Sequence, residues 1–445
     1  MTNLEEKIIA AGGAVSMLRN APAGAYPFPI KAEYTNWRDE QEAWRNTASL
    51  MDSSFHMTDF YFKGPDAIRL ISDTGINTPK NLEPGRAKQF VALNNDGFVI
   101  SDAILTVLGP EEVVLIGRSP APNWVAYQAE TKGYDVEVVR DYQSSLNKSP
   151  RRLFRYQVQG PNALQIVERA HGGTIDPIPF FRVGEFSIAG VKLRALNHAM
   201  SREVGLELTG PYEFADKVKD ALIVAGADLG LRLVGSKAYP TMALESGWVP
   251  SPMPAIYSGE DLRPYREWLS GDGYEGNASL GGSFLSDRIE DYYLNVWDLG
   301  LERVLKLDHD FIGREAAERM AEKPQRRKVW LHWKDEDAEK AIRSSLFEHE
   351  NRTKFLDLPV SNYSALSYDQ VLLDGDLVGI STTSGYSANL RGWSSLAMID
   401  ADKAIDGIEV TVVWGEADGG TRKPTVERHV QTEIRATVRT SALVN

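Results

Sequence analysis

At 445 residues the chain exceeds what one hydrophobic core usually serves, so two or three domains are expected. Its apolar content of 42% and charged content of 25% are those of an ordinary globular protein that folds without a partner. A formal net charge of -13 argues against a general nucleic-acid or anionic-membrane binder, and zero cysteines exclude disulfides, thiolate nucleophiles, iron–sulfur clusters and cysteine-ligated zinc.

The first residues, Met1 to Ala10, read as an acidic capped helix rather than a basic leader with an apolar core, and no apolar run reaches membrane-spanning length. A soluble, cytoplasmic protein is the expectation. Alternating apolar segments at Lys88–Leu93, Phe98–Leu108 and Glu112–Ile116 predict strands, and Asn94-Asn-Asp-Gly97 between the first two is a hairpin signal. Helical periodicity marks Pro65–Ser72, Asn123–Thr131 and Pro211–Ala225. Strands and helices mix without a strict βαβ rhythm, which predicts an α+β fold.

The segment Gly235 to Tyr257 combines Tyr239, Glu245, Trp248 and four prolines. Prolines fix their own φ and donate no hydrogen bond, so the run after Glu245 is expected to be a rigid extended loop, too irregular for ordinary core. Such a loop is either a site built on a scaffold or a Pro-rich surface connection. Tyr239 and Trp248 offer a phenol and a flat plate suited to a flat aromatic or heterocyclic ligand. Asp310–Met320 has the look of a capped helix, and the charged stretch Glu322 to Lys328 that of a linker. The pattern then shifts to short strands at Val371–Leu373, Val378–Thr383, Ser395–Ile399 and Ile408–Trp414, predicting a small β-barrel or jelly roll. The expected division is therefore residues 1–320 and 321–445.

None of the seven histidines forms an i, i+4 pair or a His-Glu-x-x-His motif, so no catalytic metal is expected. Nucleophile-elbow and Walker motifs do not occur, which turns attention to acids, tyrosines, arginines and an organic cofactor.

Blocks in one order along nearly the whole chain carry a resemblance. They are Met17-Leu-Arg-Asn20, Asn36-Trp-Arg-Asp-Glu-Gln41, Gly117-Arg-Ser-Pro-Ala-Pro-Asn-Trp124, the 235–257 segment, Gly281-Gly-Ser-Phe284 with Ile289-Glu-Asp-Tyr-Tyr293, Asp308-His-Asp-Phe-Ile-Gly-Arg314, and Trp414-Gly-Glu416 with Gly419-Gly-Thr-Arg-Lys423. With these the chain resembles the tetrahydrofolate-dependent aryl O-demethylases of the vanillate and syringate type, within the aminomethyltransferase (glycine-cleavage T-protein) superfamily. The resemblance implies a folate-binding core of mixed sheets and helices followed by a β-rich domain. It also implies transfer of a methyl group from a methoxybenzoate to N5 of tetrahydrofolate, with a small aromatic acid and tetrahydrofolate as partners and neither nucleic acid nor membrane among them.

An aryl methyl ether leaves as a phenolate, so a proton should reach the ether oxygen as the bond breaks. A tyrosine, with an ordinary pKa of about 10, matches a phenol closely. The resemblance puts that role on Tyr239, where the aminomethyltransferases have arginine; the alternative is a structural tyrosine capping a carbonyl. Arg118, after an apolar strand, would anchor the ring carboxylate bidentately or else form a surface ion pair. His56 would bond a ring hydroxyl or carboxylate, or sit satisfied in the core. Glu207 would accept from the pterin amino and ring NH groups and Trp248 would wall the pterin, their alternatives being an outward strand residue and a core aromatic. Asp102 matches the second acid of an Asp-Asp pair near the folate nitrogen, Ser101 replacing the first.

Two departures stand out. The vanillate-type pattern has a second tyrosine near the N-terminus where this chain has Phe28, with Tyr26 two residues earlier. A pocket lacking that hydroxyl would suit a methoxybenzoate without a para hydroxyl, or one bearing apolar substituents such as chlorine. The Gly-Tyr-Thr-Gly-Glu element of aminomethyltransferases is absent, Asn197-His-Ala-Met-Ser-Arg202 standing near it, which argues against glycine cleavage. A folate-binding relative without transfer chemistry, and aminomethyl transfer from an amine donor, are the competing readings.

Overall fold

The computed structural model describes residues 2–442 except 25, 148, 202, 421 and 422; Met1, Arg202, Thr421 and Arg422 of the stretches named above lie outside it. Three β-structures organise the chain. Five antiparallel strands form one sheet in the spatial order Ala87–Leu93, Val99–Gly109, Glu112–Gly117, Thr58–Lys63 and Glu137–Asp141. A six-stranded sheet follows the order Leu231–Val234, Ala48–Asp52, Leu153–Gln159, Gly205–Pro211, Val191–Asn197 and Val183–Ile188, with one parallel pair at its edge. The last third closes into a six-stranded barrel running Arg326–Trp333, Gly392–Asp400, Asp376–Ser387, Asp369–Leu373, Glu409–Trp414 and Thr432–Arg439, so closure rather than a jelly roll removes the sheet edges. Among the described residues no helix is long and apolar enough to cross a membrane.

Local chemistry explains the turns. Asn94 Oδ1 accepts the N–H groups of Asp96 and Phe98 at 3.1 and 2.9 Å, and Gly97 takes φ +84°, so the Asn-Asn-Asp-Gly hairpin forms as expected. A side chain at Gly97 would also meet Ala316 at 3.2 Å. The N-terminal helix, Leu4–Ala10, has the expected cap: Asn3 and Glu6 form a reciprocal capping box.

Three expectations need correction. The helix expected at Asp310–Met320 starts only at Arg314, with Gly313 in the left-handed region and no side-chain cap. Asp310 instead pairs with Arg314 at 2.7 Å. The charged stretch 322–328 is a linker only in its first half: Arg326 already opens the barrel strand and grips buried Asp298 through two nitrogens at 2.9 and 2.8 Å. Residues 253–257, expected to be too irregular for core, are core. Met253, Ala255, Ile256 and Tyr257 are all buried. Their backbone N–H groups find partners away from any ladder: Met253 donates to Tyr368 Oη and Tyr257 to Tyr293 Oη, both at 2.9 Å, and Ala255 to Val99 O at 3.2 Å. An irregular backbone is buried there because tyrosine hydroxyls replace the missing ladder.

The barrel is not a separate bead. Leu280–Gly281 pairs in parallel with Leu366–Ser367, Trp330 Nε1 donates to Leu244 O at 2.7 Å, and Gly247, at φ +75°, lies so close to Trp330 that a Cβ would meet its ring at 2.2 Å. The barrel thus buttresses the Tyr239–Trp248 segment from behind.

Candidate active site

The two sheets and the barrel meet around one cavity of about 780 Å³. Tyr26, Phe28, His56, Asp102, Arg118, Glu207, Tyr239 and Trp248, separated by up to 222 positions in sequence, all line it.

Tyr239 is delivered by the turn that follows strand Leu231–Val234. Buried Glu40 accepts the N–H groups of Thr35 and Gly235 at 2.9 and 2.8 Å, and Tyr239 N donates back to Gly235 O at 3.1 Å. Helix Met242–Ser246 continues from there. Its Glu245 accepts from Trp44 Nε1, Ser387 Oγ and Asn389 Nδ2 at 2.8–2.9 Å, tying the helix Trp37–Asn46 and the barrel to the same segment.

The Tyr239 hydroxyl lies 2.7 Å from His56 Nε2. Burial, reinforced by the cations of Arg118, Arg155 and Arg151, holds the His56 imidazole well below its usual pKa, so it is neutral at pH 7. Its Nδ1 is buried with no partner among the described residues. A proton there would be an orphaned donor, whereas on Nε2 it can be donated to Tyr239 Oη; the network therefore assigns it to Nε2. That arrangement leaves the phenolic O–H free to point elsewhere. Burial pushes the Tyr239 phenol well above its ordinary pKa despite nearby Arg118, so the proton is held at neutral pH. Phe28 packs its ring 5.4 Å from that of Tyr239 and 5.1 Å from that of His56. Tyr26 does not restore the missing hydroxyl beside Tyr239: its Oη is engaged by Ser144 Oγ at 2.5 Å and Phe55 O at 3.1 Å.

Arg118 directly follows the strand Glu112–Gly117, where Gly117 packs directly on Ala103. It is half-buried, makes no ion pair with a described residue, and its Nε is buried without a partner. An uncompensated guanidinium in a largely apolar cavity calls for an anion.

Part of the lining is polar and acidic. Asp102 Oδ2 accepts from Gln89 Nε2 and Trp248 Nε1, both at 2.9 Å, and burial lifts its carboxyl above the ordinary range. The Trp248 plate is thereby fixed in orientation. Glu207 Oε1 lies 3.1 Å from Arg155 Nε, while Arg155 Nη2 donates to Asp59 Oδ2 at 2.9 Å. Arg155 is buried and was not anticipated from sequence; its only signal is a single charged residue in the strand Leu153–Gln159. Ser361, Ser364, Ser367 and Thr383 of the barrel region complete the cavity, another contribution that sequence reading missed.

The residues present fit a pterin. Glu207 keeps one oxygen beyond its Arg155 contact, Trp248 supplies a fixed aromatic plate, and Asp102 Oδ1 has no hydrogen bond from a described residue, so the cavity offers carboxylate acceptors together with an aromatic plate.

Comparison with known proteins agrees with this architecture. The GCVT N-terminal domain family matches residues 11–251. The syringate O-demethylase of Sphingobium sp. is 44% identical over 98% of this chain and 95% of its own length. A sesamin methylene transferase of Sinomonas sp. is 27% identical, covering 92% and 89%, and the aminomethyltransferase of Thermotoga petrophila 25%, covering 86% and 87%. In fold the chain is similar to the glycine-cleavage aminomethyltransferase T of Bartonella henselae, with a TM-score of 0.62 at 18% identity over 96% of this chain and 95% of that one. The chain belongs to the GCVT, or glycine-cleavage T-protein, family.

Proposed function

We propose that the protein is a tetrahydrofolate-dependent aryl O-demethylase that moves the methyl group of a methoxybenzoate to N5 of tetrahydrofolate, releasing a phenol and 5-methyltetrahydrofolate. The carrying observation is the Tyr239 hydroxyl 2.7 Å from His56 Nε2, in a largely apolar cavity that Arg118 also lines without an ion pair to any described residue. The near full-length similarity to the syringate O-demethylase supports the same chemistry.

Arg118 holds the ring carboxylate and, with Phe28 and Met57, orients the ring and excludes water. Tyr239 gives its Oη proton to the ether oxygen as the methyl–oxygen bond breaks. The Nε2–H of His56 and the charge of Arg118 stabilise the oxygen left behind on Tyr239. Glu207, Trp248 and Asp102 would hold tetrahydrofolate, which would supply the secondary amine that accepts the methyl group. The uncommitted Oδ1 of Asp102, on a carboxyl already shifted toward its protonated form, takes up the proton that the amine sheds.

A methoxybenzoate carrying a methyl-¹³C label, incubated anaerobically with tetrahydrofolate, tests the reading: labelled 5-methyltetrahydrofolate and the phenol should appear one to one. Folate binding with neither product across a panel of methoxybenzoates would favour a non-catalytic binder or an unrelated donor.

Phe28 supports a second reading of the substrate, a methoxybenzoate without a para hydroxyl or with chlorine on the ring, because the surface it turns toward Tyr239 carries no hydrogen-bonding group. A kcat/KM for vanillate or syringate above those of all non-hydroxylated rings would remove this narrower reading and leave the first intact.

A further inference from the structure

The stretch Asn197-His-Ala-Met-Ser-Arg202, standing where the aminomethyltransferases carry a different element, places one unexplained side chain in the cavity. His198 lines it beside Glu207. Leu196 stands opposite Glu207 in the antiparallel register, and the ladder continues with His198 N donating to Gly205 O at 3.3 Å. Two residues beyond Leu196, His198 therefore faces the same side of the sheet as Glu207, a diagonal neighbour across the strand pair. Gly205, directly opposite His198, contributes no side chain to this corner. A Cβ there would strike Gln157 Nε2 at 2.4 Å and His198 O at 2.9 Å. Gln157, paired with Glu207 on its other side, donates that Nε2 to His198 O at 2.8 Å, so one glutamine holds the histidine's backbone against the glutamate's strand.

The ring itself is uncommitted. Its Nδ1 is buried with no partner, and no described residue hydrogen-bonds either nitrogen. Burial lowers its pKa, so the ring is neutral, and the proton belongs on Nε2 because on Nδ1 it would be an orphaned donor. Phe181 packs its ring 5.6 Å from that of His198 from a backbone at φ +55°, which a bulky aromatic residue seldom adopts. Two backbone bonds hold it there, Phe181 N to Asn197 O at 2.9 Å and Ala87 N to Phe181 O at 3.0 Å. Strain of this kind at a cavity wall marks a side chain whose position is imposed by the surrounding structure.

A carboxylate acceptor beside a single N–H donor has a specific complement. The pyrimidine edge of a 2-amino-4-oxopterin presents, in order, a donor (the 2-amino group), a donor (N3–H) and an acceptor (the 4-oxo oxygen). We propose that His198 is a second pterin-reading residue, its Nε2–H donating to the 4-oxo oxygen while Glu207 accepts from the two donors beside it. This rests on the folate-dependent function proposed above and adds the determinant that selects 4-oxo over 4-amino pteridines, since a 4-amino group would set a donor against a donor.

Equilibrium binding of tetrahydrofolate and of 2,4-diaminopteridine, followed by tryptophan fluorescence under anaerobic conditions, tests it without turnover. His198→Leu should bind tetrahydrofolate about tenfold more weakly than wild type and lose most of the preference for the 4-oxo ligand. His198→Gln, whose amide nitrogen reaches the place of Nε2, should recover affinity to within about threefold. Affinity for the methoxybenzoate should not move in either variant. Unchanged tetrahydrofolate affinity in folded His198→Leu, or a wild-type protein indifferent to the 4-substituent, overturns the assignment and leaves the proposed reaction standing. Wild-type protein that binds no tetrahydrofolate at all overturns both.

Discussion

Tyr239 and His56, 183 residues apart in sequence, share one hydrogen bond of 2.7 Å in which the histidine is the donor and the tyrosine keeps its own proton for another acceptor. The direction of that bond decides what each residue does. On the proposed mechanism a neutral His56 is not the acid; it would stabilise the oxygen that Tyr239 is left with once its proton has gone.

His56→Leu removes that donor and should lower kcat by about ten- to a hundredfold with little change in KM for the aromatic acid. His56→Gln, which keeps an N–H near Nε2, should lose less. Steady-state kinetics on both variants checks this, and a large rise in KM with unchanged kcat would instead make His56 a substrate contact.

Arg118→Met should weaken binding of the benzoate anion by about ten- to a hundredfold, the range for charge-assisted hydrogen bonds in a desolvated site. The corresponding benzamide should bind wild type and variant alike. Isothermal titration of the two ligands separates charge recognition from packing.

Phe28→Tyr restores a hydroxyl among the Tyr239 and His56 rings. Its kcat/KM should shift toward para-hydroxylated methoxybenzoates relative to wild type, by about five- to tenfold for one added hydrogen bond. Competition between vanillate and 3-methoxybenzoate in one reaction reads the ratio directly.

Asp369, buried beneath the Gly281–Ser283 turn, has its carboxyl pushed up to about 6 by burial, against the opposing pull of Lys354. A raised folded-state pKa means that the native state binds this proton more tightly than the unfolded state. The associated stability is complete below about pH 4 and is lost as pH rises through 6. Asp369→Asn, which keeps an acceptor for Ser283 N, should therefore stabilise the protein at pH 7.5 by roughly 1–3 kcal/mol and much less at pH 4.5. Thermal unfolding at the two pH values checks the sign.

Much of this architecture was legible in the sequence where the chemistry is local. The Asn94–Gly97 turn, the strands on either side of it and the Asn3 capping box follow from side chains bonding their own backbone. The candidate site residues were legible through resemblance, and the cavity collects all of them. What stayed hidden depends on long-range partners. Nothing near Met253 announces that Tyr368 will satisfy its N–H, and nothing near Arg155 announces Asp59 and Glu207. Barrel residues such as Thr383 reach the cavity only because the barrel docks on the Tyr239–Trp248 segment.

The central claim is that Tyr239 delivers the proton that frees the phenol. Single-turnover reaction of Tyr239→Phe with a deuteromethyl methoxybenzoate and tetrahydrofolate, both saturating, tests it most directly. The account predicts unimpaired binding of both ligands and a rate of appearance of phenol and 5-(deuteromethyl)tetrahydrofolate reduced by about 10²- to 10⁴-fold. Both products forming in Tyr239→Phe at the wild-type rate would contradict it.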